Sequence, residues 1–217
     1  MNESEIIRRT AKYIEKLFKD THSGHDWWHM WRVWQNAKLI GKTEKVDMFI
    51  VEMGSLLHDI SDWKYNSKED SESSIQARAW LKQFNLEEKT IDHICDIVST
   101  VSFKGAGVTS EMKTLEGKVV RDADRLDVMG AIGIARTFAY GGSVNRSMYD
   151  PTQKYKHHNT SQEYVNNISS TINHFYEKLL LLKDLMNTKS AKKIAEHRHK
   201  YMEDFLNEFF EEWDGKI

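Results

Sequence analysis

The chain has 217 residues with a single proline and 11 glycines, where average usage would supply about 11 prolines; that deficit excludes a turn-stitched β-sandwich, a proline-rich linker and a collagen-like repeat. Hydrophobic residues make up 40% and charged residues 29%, a balance that buries a core and argues against disorder. Lysine plus arginine total 31 against 33 aspartate plus glutamate, a formal charge of -2, so no global field gathers nucleic acid or an anionic membrane.

Ile6, Ile7, Ala11, Ile14, Leu17 and Phe18 recur at helical spacing and predict a first helix ending before Thr21 to His25. A second is expected from about Trp27 to Ile40, closed by Gly41 in a left-handed cap. Thr43 is the candidate N-cap of a third, whose apolar positions Val46, Phe49, Ile50, Met53, Leu56 and Leu57 run directly into His58-Asp59. Ile75, Ala79, Leu81 and Phe84 mark a short helix, and Ile91, Ile94, Val98 and Val101 another, broken by Gly105 and Gly107. One long helix is expected from about Thr114 to Phe138, carrying Gly117, Gly130 and Gly133 at some cost and ended by Gly141-Gly142.

Residues 140 to 160 hold the only proline, Pro151, and show no period. A segment this irregular is expected near a pocket mouth. Thr160 with Glu163 has capping-box spacing and opens a helix through Ile168, Ile172, Phe175, Leu179, Leu182 and Met186; a last helix carries Ile194, Tyr201, Phe205, Phe209 and Trp213. With no repeat or composition break, the expectation is a single all-α domain over residues 1–217. No stretch approaches the roughly 18 apolar residues that span a bilayer, and the N-terminus has no apolar signal core, so a cytoplasmic setting is expected. The lone Cys95 excludes an internal disulfide and a zinc–thiolate cluster, and fits a reducing compartment.

The chemistry has to be chosen among ten histidines. His58-Asp59 closes an apolar helix, where an imidazole and a carboxylate are costly to bury unless both are hydrogen-bonded or hold a cation. The bland alternative is that Asp59 caps the next segment while His58 bonds a carbonyl. His29 near the start of the second helix, and Asp122, Asp124 and Asp127 in the long one, supply company for a metal site. Asp122 and Asp124 lie about 200° apart on a helix, so they cannot both face one cation. His93 sits in an apolar segment and is expected in a solvated or core role. Trp27, Trp31 and Trp34 form a helical stripe expected in the core, while Trp28 falls off it and is the better pocket candidate.

His29-Met30-Trp31-Arg32-Val33, Leu56-Leu57-His58-Asp59-Ile60 and Ala123-Asp124-Arg125-Leu126 together resemble the ordered motifs of the HD-domain metal-dependent phosphohydrolases. The resemblance covers a core of about 25–127. Gly130 to Arg136 and His174 to Leu180 extend it, over a helical extension of about 130–217, to a bacterial branch of small HD hydrolases. It implies an HD-type helical bundle in which His29, His58, Asp59 and Asp124 hold one divalent cation, with Asp122 as the fallback ligand. Two imidazoles and two carboxylates suit manganese first, with Mg, Fe, Co or Ni as alternatives.

Asp62, three residues after Asp59, is the candidate to orient or deprotonate the attacking water; some nucleotide-cleaving HD enzymes carry an acid at this offset. Arg32, Lys64, His174 and Lys178 are candidate phosphate contacts. His25, Asp26 and Asp127 are candidate supports for the ligands. The implied activity is hydrolysis of a nucleotide or related phosphate ester by metal-activated water, with pyrophosphate and phosphate as the alternative products, and with no nucleic acid or membrane as partner. A non-catalytic nucleotide sensor on the same fold and a purely structural scaffold are the rivals; the sequence leaves the oligomeric state open.

Overall fold

In the computed structural model, residues 1–19, 24, 26–61, 71–101, 112–156 and 169–217 are described. Those residues form helices and connections without a strand, as the composition requires. The helices are α1 (Glu3–Leu17), α2 (Trp27–Gly41), α3 (Met48–Leu57), α4 (Ser71–Leu81), α5 (Glu88–Thr100), α6 (Leu115–Asp127), α7 (Gly130–Ser143), α8 (Thr171–Glu177) and α9 (Lys189–Trp213), with a 3₁₀ helix over Leu179–Leu185 between the last two. They group into two compact units whose division falls within α6, between Asp124 and Arg125.

In the first unit α3 is the central element. Eight of its ten residues are buried, the pattern of a helix covered on every side, and it packs against α1, α2 and α5. Gly54 permits that closeness, because a Cβ there would lie 3.3 Å from both Ile97 of α5 and Val120 of α6. Ile14, Met30, Met53, Leu57, Leu81, Ile94 and Ile97 fill the core around it. α1 adds Trp80 of α4 through a parallel stack of Tyr13 on its indole at 4.0 Å, and the indole N–H donates to Thr10 Oγ1 at 2.8 Å.

The second unit is built on α9, which packs against α7 and the 3₁₀ helix. Phe138, Phe175 and Phe205 meet at centroid distances of 5.9–6.1 Å, and Phe175 is fully buried. Asp127, also buried, pairs with Arg136. Arg198 donates to the Leu126 carbonyl, and its burial pulls the guanidinium below its ordinary range.

Several boundaries differ from expectation. α3 is capped not by Thr43 but by Asp47, whose carboxylate accepts from Phe49 and Ile50 N–H; the Thr43 hydroxyl instead donates to the Ile40 carbonyl. Gly41 is the last residue of α2 and has no positive φ; its missing side chain makes room for Met48, whose sulfur would lie 2.6 Å from a Cβ there. The single helix expected over 114–138 is two helices. Gly130 takes φ +69° and restarts the chain as α7. The helix expected from Thr160 to Met186 is also divided: α8 begins at Thr171, capped by the Ser170 hydroxyl, and a 3₁₀ turn replaces its second half. Thr160, Glu163, Gly105 and Gly107 lie outside the described residues. Among the described residues no helix is long and apolar enough to cross a membrane.

Candidate metal centre

The first unit contributes every described member of the site. Asp26 ends the segment before α2 and caps it, its Oδ1 accepting from the His29 N–H at 2.8 Å. His29 therefore sits in the first turn of α2, on the buried face with Met30, Val33, Asn36, Ala37 and Ile40. α3 delivers the second segment: His58 is its C-cap, and Asp59 follows as the chain leaves the helix. Asp124 comes from α6.

His29 and His58 are nearly inaccessible, while the Asp59 and Asp124 side chains keep 13% and 25% of their surface. The arrangement is thus a buried imidazole pair under two more open carboxylates. The two Nε2 atoms are 3.2 Å apart. Asp59 Oδ2 lies 3.6 Å from His29 Nε2 and 3.5 Å from His58 Nε2; Asp124 Oδ1 lies 3.6 and 3.9 Å from the same two atoms.

The proton positions follow in part from the partners. His58 Nδ1 is 2.8 Å from the Ser55 carbonyl oxygen, which can only accept, so Nδ1 carries the hydrogen and the neutral ring presents a lone pair at Nε2. Ser55 reaches this position one turn before His58 on α3, and its hydroxyl is occupied by the Glu52 carbonyl. Such a bond fixes ring orientation and tautomer for a ligand histidine.

A divalent cation fits this set. Donor atoms held about 2.1 Å from one ion are about 3.0–3.4 Å apart when neighbours; the observed separations are 3.2–3.6 Å among His29, His58 and Asp59, and 3.6 and 3.9 Å from Asp124 to the two imidazoles. Two neutral imidazoles and two carboxylates also carry a charge opposite and equal to that of the ion. His29, His58 and Asp59 are the described cluster able to hold a metal, and Asp124 faces it across both imidazoles.

Asp62, Lys64 and His25 lie outside the described residues. Arg32 is half-buried one turn beyond His29. Asp122 is fully buried. Asp127, expected to support Asp124, is buried and pairs with Arg136. His93 Nε2 is 3.0 Å from the Thr114 hydroxyl and 3.7 Å from Glu116.

His174 lies in α8, while Lys178 is its C-cap with φ -142°, so the helical face expected to join them stops between them. The tryptophan stripe is only partly core. Trp31 is 41% exposed, and Trp27, Trp31 and Trp34 line a groove of about 410 Å³ with Ile7 and Ala11 of α1. Trp28 is exposed and meets Trp31 edge-on. Ser55 was not among the expected site residues; its place three residues before His58 on one helix was the available signal.

The HD domain family matches residues 27–129. The Bacillus subtilis protein YpgQ is 35% identical over 217 residues, covering 99% of this chain and 97% of YpgQ. A crystal structure of an HD-superfamily hydrolase from Bacillus thuringiensis is 41% identical, with TM-score 0.78 over 98% of this chain and 99% of that one. The crystal structure of B. subtilis YpgQ in complex with ADP aligns at 31% identity and TM-score 0.75, over 98% and 97% of the two chains. Matched from end to end by bacterial proteins of its own length, and by the HD domain across all four clustered side chains, the chain belongs to the HD-domain superfamily.

Proposed function

We propose that the protein is a divalent-metal-dependent phosphohydrolase that cleaves a nucleotide or related phosphate ester, with one cation, manganese first, held by His29, His58, Asp59 and Asp124. The observation that carries the reading is the pair of buried Nε2 atoms 3.2 Å apart beneath two carboxylates. A purely structural bundle gains nothing from burying such a group without an ion. The nucleotide is supported by YpgQ, which was crystallised with ADP.

The cation, when bound, lowers the pKa of its water toward neutrality and polarises a phosphoryl oxygen. The chain's own contributions are orientation and proton handling. Ser55 holds His58 in the Nδ1–H tautomer, and Asp26 anchors the turn that carries His29. Asp62 accepts a proton from the attacking water, and Arg32 and Lys64 balance phosphate charge. Attack at an α-phosphorus of a triphosphate would form a P–O bond to the water oxygen as the bond to the bridging oxygen breaks, releasing pyrophosphate; attack on a terminal monoester would in the same way release phosphate.

The test is a panel of nucleotides incubated with manganese-loaded protein, reading phosphate and pyrophosphate separately. Metal-dependent release supports the proposal. Asp62→Asn should retain the metal and slow turnover by about 10²–10⁴. Tight nucleotide binding with no release would identify a sensor. Absence of both metal and nucleotide binding would leave a structural scaffold.

A further inference from the structure

Asn36 is the one amide side chain among the residues that α2 buries. It stands seven residues after His29, two turns along the same face. Its Nδ2 donates to the main-chain carbonyl of Ala123 in α6 at 3.3 Å. Ala123 immediately precedes Asp124, whose carboxylate lies 3.6 Å from His29 Nε2. The α2 and α6 helices are therefore joined at Asn36 as well as across the cluster.

The two joins differ in kind. An imidazole nitrogen and a carboxylate oxygen 3.6 Å apart are beyond hydrogen-bond length, so that contact does not by itself fix where α6 stands against α2. The Asn36 bond does so without an ion. A slip of α6 by one residue would carry Asp124 about 1.5 Å along its axis and 100° around it, taking the carboxylate off the cluster. An apolar side chain of similar size would suit the buried stripe equally well, whereas a buried amide is costly unless bonded. Packing alone therefore gives no reason for asparagine here, and the bond to Ala123 does.

The geometry points to Asn36 as a positioning residue for the metal centre: through the Ala123 carbonyl it sets the register of α6, so that Asp124 completes the donor set begun by His29. This rests on the metal-binding reading above. Asn36 acts through Asp124 and is not itself a ligand.

Manganese(II) titrated calorimetrically into metal-free wild type, Asn36→Ala, Asn36→Leu and Ile40→Ala tests it, with helicity checked by circular dichroism. Asn36→Leu fills the space that alanine leaves, so at least one variant should remain folded. Ile40 is fully buried on the same face one turn further along, so Ile40→Ala should lower stability and keep wild-type affinity. Both Asn36 variants should bind manganese about 10- to 100-fold more weakly. Wild-type affinity in a folded Asn36→Leu would overturn the inference, as would an equal loss in Ile40→Ala, which would make the effect one of general packing. Wild type that takes up no manganese would instead remove the metal reading on which the inference stands.

Discussion

Asp26→Ala tests how the fold presents its first ligand. The Asp26 carboxylate accepts from the His29 N–H at 2.8 Å and caps α2. Losing an aspartate N-cap costs about 1 kcal/mol, and the lost negative charge at the helix N-terminus adds about 0.3–1 kcal/mol. A total of about 1–2 kcal/mol, over a urea slope of about 2 kcal/mol per molar, shifts the denaturation midpoint down by about 0.5–1 M. Asp26→Asn separates the two contributions: it keeps an oxygen acceptor and loses only the charge, so its shift should be about half or less. Because His29 lies in the turn that would fray, Asp26→Ala should also weaken manganese binding, and Asp26→Asn much less. Wild-type stability in Asp26→Ala would refute the capping argument. Equal damage in both variants would show that charge, not the cap, holds the turn.

Other substitutions probe the second unit and the core. Gly130→Ala should cost about 1–2 kcal/mol in denaturant unfolding, because φ +69° is unfavourable for a residue with a side chain and the new Cβ would stand 3.1–3.2 Å from the Arg198 stem. Phe175→Ala removes a fully buried ring that meets Phe138 and Phe205 and should cost about 3–5 kcal/mol, read as faster hydrogen exchange in α7 and α9. Cys95 is 2% exposed, and burial raises its thiol above the ordinary range. Less thiolate is therefore present at any pH near neutrality, and a disulfide reagent should label it only as the protein unfolds; rapid labelling of native protein would contradict its placement.

The helical class and the proximity of His29, His58 and Asp59 were legible because both rest on local pattern and residue type. Apolar spacing marked α1 to α5, and the ordered histidines and aspartates led to His29, His58, Asp59 and Asp124. Boundaries were less legible. Thr43 was the expected cap, and only the geometry shows Asp47 accepting the two N–H groups. A helix through Gly130 is allowed by propensity, and the break follows from its left-handed backbone against Arg198. Asp127 looked like a support for Asp124 because the two share a helix face. Its partner Arg136 lies nine residues on in the next helix, a contact that spacing within one helix cannot reveal. Asn36 shows the converse: its bond to Ala123 spans 87 residues, so its meaning depends on which helix lies opposite.

One cation should sit between the paired imidazoles and the two carboxylates. Crystals grown with manganese and measured above and below its absorption edge should show a single anomalous peak bonded to the Nε2 atoms of His29 and His58 and to carboxylate oxygens of Asp59 and Asp124. A peak bonded to Asp122 in place of Asp124, or no peak at the two imidazoles, would contradict the account.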